Sequence, residues 1–68
     1  MTTYQVFKIE VTCGNAAFGE TDDDRNSELA RILRGAAARL ESGKLPEYLF
    51  DVNGNCVGGS KIVNRRES

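Results

Sequence analysis

The chain has 68 residues, 40% of them apolar and 28% charged, with a net charge of −1. That length allows one domain with a thin core, and the composition is that of a folded globular chain, which sets aside intrinsic disorder. Near-neutral charge gives no global basis for binding nucleic acid or an anionic membrane, and no apolar run approaches the ~18 residues of a membrane span.

Residues 4–13, from Tyr4 to Cys13, alternate apolar and polar side chains. Phe7, Ile9, Val11 and Cys13 fall on one face and Lys8, Glu10 and Thr12 on the other, so a half-buried strand is expected. Gly14-Asn15 ends or turns it. Residues 16–20 allow a short second strand or a loop whose Phe18 plugs the edge of the core.

The period then changes to that of a helix, expected over about residues 25–42. Leu29, Ile32, Leu33, Ala36, Ala37 and Leu40 form one apolar stripe, with Glu28, Arg31, Arg34, Gly35 and Ala38 opposite. Asp23, Asp24, Asn26 and Ser27 are the candidate N-caps, and Asp22, Asp23 and Asp24 suit the positive end of the helix dipole. Gly43 and Pro46 mark the C-terminal end.

A hairpin is expected over about residues 48–63, with its turn at Asn53-Gly54. Its simplest register puts Tyr48, Phe50, Val52 and Val57 on the core face and Leu49 outside. A bulge at Gly58-Gly59 would then return Ile62 to the core, whereas a three-residue loop at Gly54 shifts the register by one. Residues 64–68 read as a frayed tail. The fold class is α+β, a two-layer β-α-β-β domain. One amphipathic helix lies across a small three-stranded antiparallel or mixed sheet, whose other face is wet.

Chemistry is mostly excluded. There is no histidine, so neither a nucleophilic triad nor a histidine-ligated metal site can form. Asp51-Val52-Asn53-Gly54-Asn55 begins like a calcium loop, but the sixth and twelfth loop positions hold Cys56 and Ile62 where glycine and glutamate are required. Gly58-Gly59-Ser60-Lys61 lacks the spacing of a phosphate loop. No enzyme, cofactor or metal site is expected. The start Met1-Thr2-Thr3-Tyr4 lacks the features of a secretory leader, so a cytoplasmic location is expected, with Cys13 and Cys56 reduced and packed as small hydrophobes.

Surface charge supplies the remaining candidates. Residues 1–30 carry six acids and two bases, and residues 31–68 four acids and seven bases, giving −4 and +3 respectively. Such a dipole orients a partner during encounter. Glu20, Asp22, Asp23, Asp24 and Glu28 are the candidate surface for a protein partner, standing in for phosphate before an arginine-lined site. Arg31, Arg34, Lys61, Arg65 and Arg66 are the alternative, a surface for nucleic acid. A homodimer is a further expectation, with Tyr4 and Leu49 as contacts, because a small sheet has exposed edges.

Three segments together, Gly14-Asn15-Ala16-Ala17-Phe18, Ala30-Arg31-Ile32-Leu33-Arg34 leading to Leu40-Glu41-Ser42-Gly43, and Asp51-Val52-Asn53-Gly54-Asn55-Cys56-Val57-Gly58, resemble a group of very short proteins of bacteriophages and other mobile elements. The resemblance implies an accessory protein acting inside a host cell, binding a host protein or complex, and inhibiting a host machine or defence complex. It carries over no catalytic or ligand-binding residues.

Overall fold

A computed structural model describes residues 2–67. The chain forms β1 (Thr2–Val11), a 3-10 turn (Ala16–Phe18), α1 (Asp22–Glu41), β2 (Tyr48–Phe50) and β3 (Cys56–Glu67). The sheet order is β1-β3-β2, and both pairings are antiparallel. The expected α+β domain is therefore present, with one helix packed against a three-stranded antiparallel sheet.

β1 pairs with β3 along its whole length, from Thr2 opposite Glu67 to Val11 opposite Gly58. The segment expected to fray is thus strand as far as Glu67, because the start of β1 supplies its ladder partner; Ser68 lies outside the described residues. β2 covers only the beginning of β3, so the rest of β3 and the first half of β1 run on as a two-stranded ribbon. This ribbon accounts for an elongated molecule of 47 × 26 × 18 Å.

Of the two hairpin registers, the alternative is the one found: Gly54, at φ +85°, is the left-handed residue of a three-residue loop closed by the Asp51 amide, which donates to the Asn55 carbonyl at 2.9 Å. Leu49 lies opposite Gly58 and Phe50 opposite Cys56, which leaves Val57 as the extra residue of a bulge. The bulge sits one position before the glycines. It turns Leu49 and Val57 into the core, at 3% and 7% exposure, and leaves Tyr48, Phe50 and Val52 outside. A one-residue displacement exchanges the faces of every flanking side chain. Gly58 has a separate role, since a Cβ there would run into the carbonyl oxygen of Glu10.

Phe18, Ile32, Ala36, Leu49 and Val57 form the core, with Ile9, Val11, Cys13, Ala17 and Leu29 packed around it. Of the two readings for residues 16–20, the plug is the one found. The Asn15 side chain accepts a 2.9 Å hydrogen bond from the Ala17 amide, closing a 3-10 turn that buries Phe18.

Thr21, which was not among the expected caps, starts α1 by accepting from the Asp24 amide at 3.1 Å. The helix therefore begins at Asp22, with all three aspartates in its first turn. At the other end Gly43, at φ +86°, follows the Ser42 cap as expected. The buried stripe is rotated from the expected one: Glu28, Ile32 and Ala36 are buried, whereas Leu33, Ala37 and Leu40 are exposed. The cause is β2. Arg31 and Arg39 donate to the carbonyl oxygens of Phe50 and Tyr48 at 3.2 and 2.9 Å and hold that flank of the helix on the strand.

Candidate functional site

Two polar clusters tie the loops down, one linking the turn after β1 to the loop after β2 and the other linking that loop to α1. Asp51, only 4% exposed, accepts from the Asn53 and Asn55 amides, from the Asn55 side chain and from the Asn15 side chain. Burial raises its pKa, but these donors outweigh it and hold the carboxyl below the ordinary aspartate range. The Gly-Asn turn after β1 and the Asp-x-Asn-Gly-Asn segment are thus one hydrogen-bonded cluster. Its carboxylate is spent on backbone and amide donors, which explains the calcium-loop composition without a cation. Among the described residues no cluster of three or more His, Cys, Asp or Glu side chains is placed to hold a metal ion.

Glu28, expected on the partner-facing acidic surface, is instead 8% exposed beneath Arg31 and Val52. It accepts two bonds from Arg31, at 2.7 and 3.1 Å, and one from the Val52 amide at 2.8 Å. The Arg31 bond is the main cause of its lowered pKa; burial opposes it and the Val52 amide adds to it. Arg31 is correspondingly tied to Glu28 and to the Phe50 carbonyl oxygen, with its side chain 47% exposed.

The other acids of the set, Glu20, Asp22, Asp23 and Asp24, are exposed around the start of α1. Asp22 pairs with Arg25 at 3.4 Å, and the helix dipole suits all three aspartates. Arg34 stands on the exposed side of α1. Arg66 lies opposite Thr3 on the helix-side face of the ribbon, whereas Lys61 and Arg65 lie on the face turned away.

That open face gathers side chains from all three strands. Cross-strand partners share a face, so Tyr4 with Arg65, Val6 with Val63 and Lys8 with Lys61 stand together. Tyr48, opposite Gly59, joins them, and alternation around buried Leu49 places Phe50 on the same side. Tyr4, Tyr48 and Phe50 are 49%, 63% and 43% exposed. Between the aromatic ends, Lys8 and Lys61 face each other beside Glu10, with Gly58 and Gly59 as a shallow floor. Lys8, Tyr48 and Phe50 were not among the expected contacts. The alternation of β1 already put Lys8 on the wet face, but its juxtaposition with Lys61 depends on a pairing between opposite ends of the chain.

No family model, curated protein or solved structure matches the chain. No helix among the described residues is long and apolar enough to cross a membrane. Cys13 packs against the core, but Cys56 is exposed, contrary to the expectation of two buried thiols. The bulge at Val57 turns the neighbouring Cys56 outward.

Proposed function

We propose that this chain is a protein-binding module and that its contact surface is the open face of the sheet. One observation carries this reading: Tyr4, Tyr48 and Phe50 are exposed on the sheet face away from α1, which no element among the described residues covers. Exposed aromatic side chains are enriched at binding hot spots, where they supply area at low entropic cost. Around them, Lys8, Lys61 and Arg65 favour a partner with an acidic rim. The acidic helix start needs no partner, because the helix dipole accounts for its aspartates. Following the resemblance to phage accessory proteins, the partner is a host protein or complex in the cytoplasm, and binding occludes one of its working surfaces.

Retention from nuclease-treated lysate of candidate host cells tests the reading, with wild type, Tyr48→Asp and an Asp22→Lys/Asp23→Lys/Asp24→Lys variant as baits. A stoichiometric protein partner kept by wild type and by the triple variant, but lost by Tyr48→Asp, is the expected result. Loss with the triple variant alone would return the contact to the acidic surface. No retained protein at all would overturn the reading.

Nucleic acid is the second reading, and the direct opposition of Lys8 and Lys61 favours it. Like charges facing each other across a ladder are unfavourable unless an anion lies between them. Aromatic side chains on a basic sheet face also suit base stacking. Single-stranded oligonucleotide binding that weakens steeply with salt, and is lost in Lys61→Glu, would establish it.

A further inference from the structure

β1 is an edge strand, and its outer side has no partner anywhere along Thr2–Val11. The Thr12 amide donates to the Val57 carbonyl at 2.7 Å. From that bond and the β1–β3 register, alternation assigns the even-numbered residues of β1 to β3. The odd-numbered residues Thr3, Gln5, Phe7, Ile9 and Val11 turn their N–H and C=O groups outward. A second copy of β1 lying antiparallel about a two-fold axis can engage those groups, provided odd residues meet odd residues.

Charge selects among the registers that meet this condition. Lys8 and Glu10 are the only charged residues of β1. Centring the axis on Lys8 or on Glu10 sets like charges face to face, and centring it on Val6 or Phe7 leaves both charges opposite uncharged residues. Centring it on Ile9 places Lys8 of each copy against Glu10 of the other, twice. The same register opposes Phe7 to Val11 and Ile9 to itself, all on the helix-side face. The Lys8–Glu10 contacts then fall at the closer, non-hydrogen-bonded type of pair. Among the described residues the only intrachain ion pairs are Asp22–Arg25 and Glu28–Arg31, so Lys8 and Glu10 are free for this role.

A two-fold axis normal to the sheet puts both helices on the same face, each held on β2 by Arg31 and Arg39 at the edge of its sheet away from the seam, so the pairing rests on the two β1 strands. β1 has no proline, and its charges, Lys8 and Glu10, stand on the face turned away from the helix, where the two-fold pairing matches them.

We propose that two copies of the chain join through their β1 edges, antiparallel about Ile9, into a continuous six-stranded sheet. This dimer leaves Tyr48 and Phe50 free, and it does not depend on the function proposed above.

Sedimentation equilibrium on the full chain, with circular dichroism to verify folding, tests the register by charge exchange. Wild type is expected to be dimeric. Lys8→Glu and Glu10→Lys each convert the two attractive contacts to repulsive ones and weaken the dimer by about tenfold or more. The Lys8→Glu/Glu10→Lys double variant recovers it. An equimolar mixture of the two single variants also dimerises, because one chain then carries two acids and the other two lysines at these positions. A monomeric wild type at high concentration would overturn the proposal, as would a dimer indifferent to Lys8→Glu or a failure of the single variants to associate when mixed.

Discussion

The Asn15 side chain donates a 2.6 Å hydrogen bond to the Asp51 carboxylate across 36 positions of sequence. It ties the turn that launches Phe18 into the core to the loop that follows β2. Replacing Asp51 with asparagine sets an amide N–H against four donor contacts that need an acceptor, whereas Asn15→Ala removes one of those donors and the acceptor of the Ala17 amide. Asp51→Asn is therefore expected to lower the urea midpoint of unfolding clearly more than Asn15→Ala does. Equal effects would show that losing the Asn15 link together with the Ala17 acceptor matches the loss of the Asp51 acceptor.

Stability should also depend on pH in one direction. Glu28 and Asp51 both have lowered pKa values in the folded chain, Glu28 chiefly through Arg31 and Asp51 through donors that outweigh its burial. A carboxylate whose folded pKa is depressed contributes stability above its unfolded pKa, about 4. That contribution is lost as pH falls through the lower folded value. Urea midpoints from these two groups should thus be level from neutral pH to about 5 and fall below about 4. Glu28→Gln should have a lower midpoint at pH 7 and a shallower acid decline.

Leu49 and Tyr48 are adjacent and face opposite sides of the sheet. Leu49→Ala empties part of a closed core and should cost about 2–5 kcal/mol, most of what so small a domain holds. Tyr48→Ala removes a ring that is 63% exposed and should leave unfolding within about 0.5 kcal/mol of wild type. Thermal melts of the two variants read the hairpin register directly. The opposite ranking would restore the register without the bulge at Val57.

Two glycines should respond oppositely to alanine. A Cβ at Gly35 meets nothing within 4 Å, so Gly35→Ala should stabilise the helix by about 0.5–1 kcal/mol. At Gly58 the added carbon meets the Glu10 backbone, and neither strand can yield without loosening the ladder. Gly58→Ala should be destabilising, with faster amide exchange at the Val11 end of the β1–β3 pairing.

The clean alternation of β1 and the period of α1 made both elements legible in the sequence, since each reports a local geometry. What the sequence hid was set by partners distant along the chain. The stripe from Leu29 to Leu40 is wide enough to cover a larger sheet, but β2 is only three residues long. The helix settles over β2, so Glu28 rather than Leu33 is buried. Val57 shows the sensitivity of register, because moving the bulge by one residue exchanges Leu49 with Tyr48 and Phe50. The open face was half legible: Lys8 could be placed on the wet side, but its opposition to Lys61 rests on a long-range pairing. Asn15 and Asp51 both read as turn residues, which they are, with no local sign that they meet.

The position of β3 has a consequence for how the molecule comes into being. It is the last strand in the chain, yet it lies between the other two. Neither β1 nor β2 has a ladder partner until β3 is present, so a nascent chain can form α1 and the Phe18 turn but no sheet. Closing β1 onto β3 brings together opposite ends of the chain, and that entropy must be spent before any cross-strand contact is gained. Folding should therefore be slow for a domain of this size, and a chain stalled before Cys56 should expose the apolar sides of β1 and α1 to chaperones.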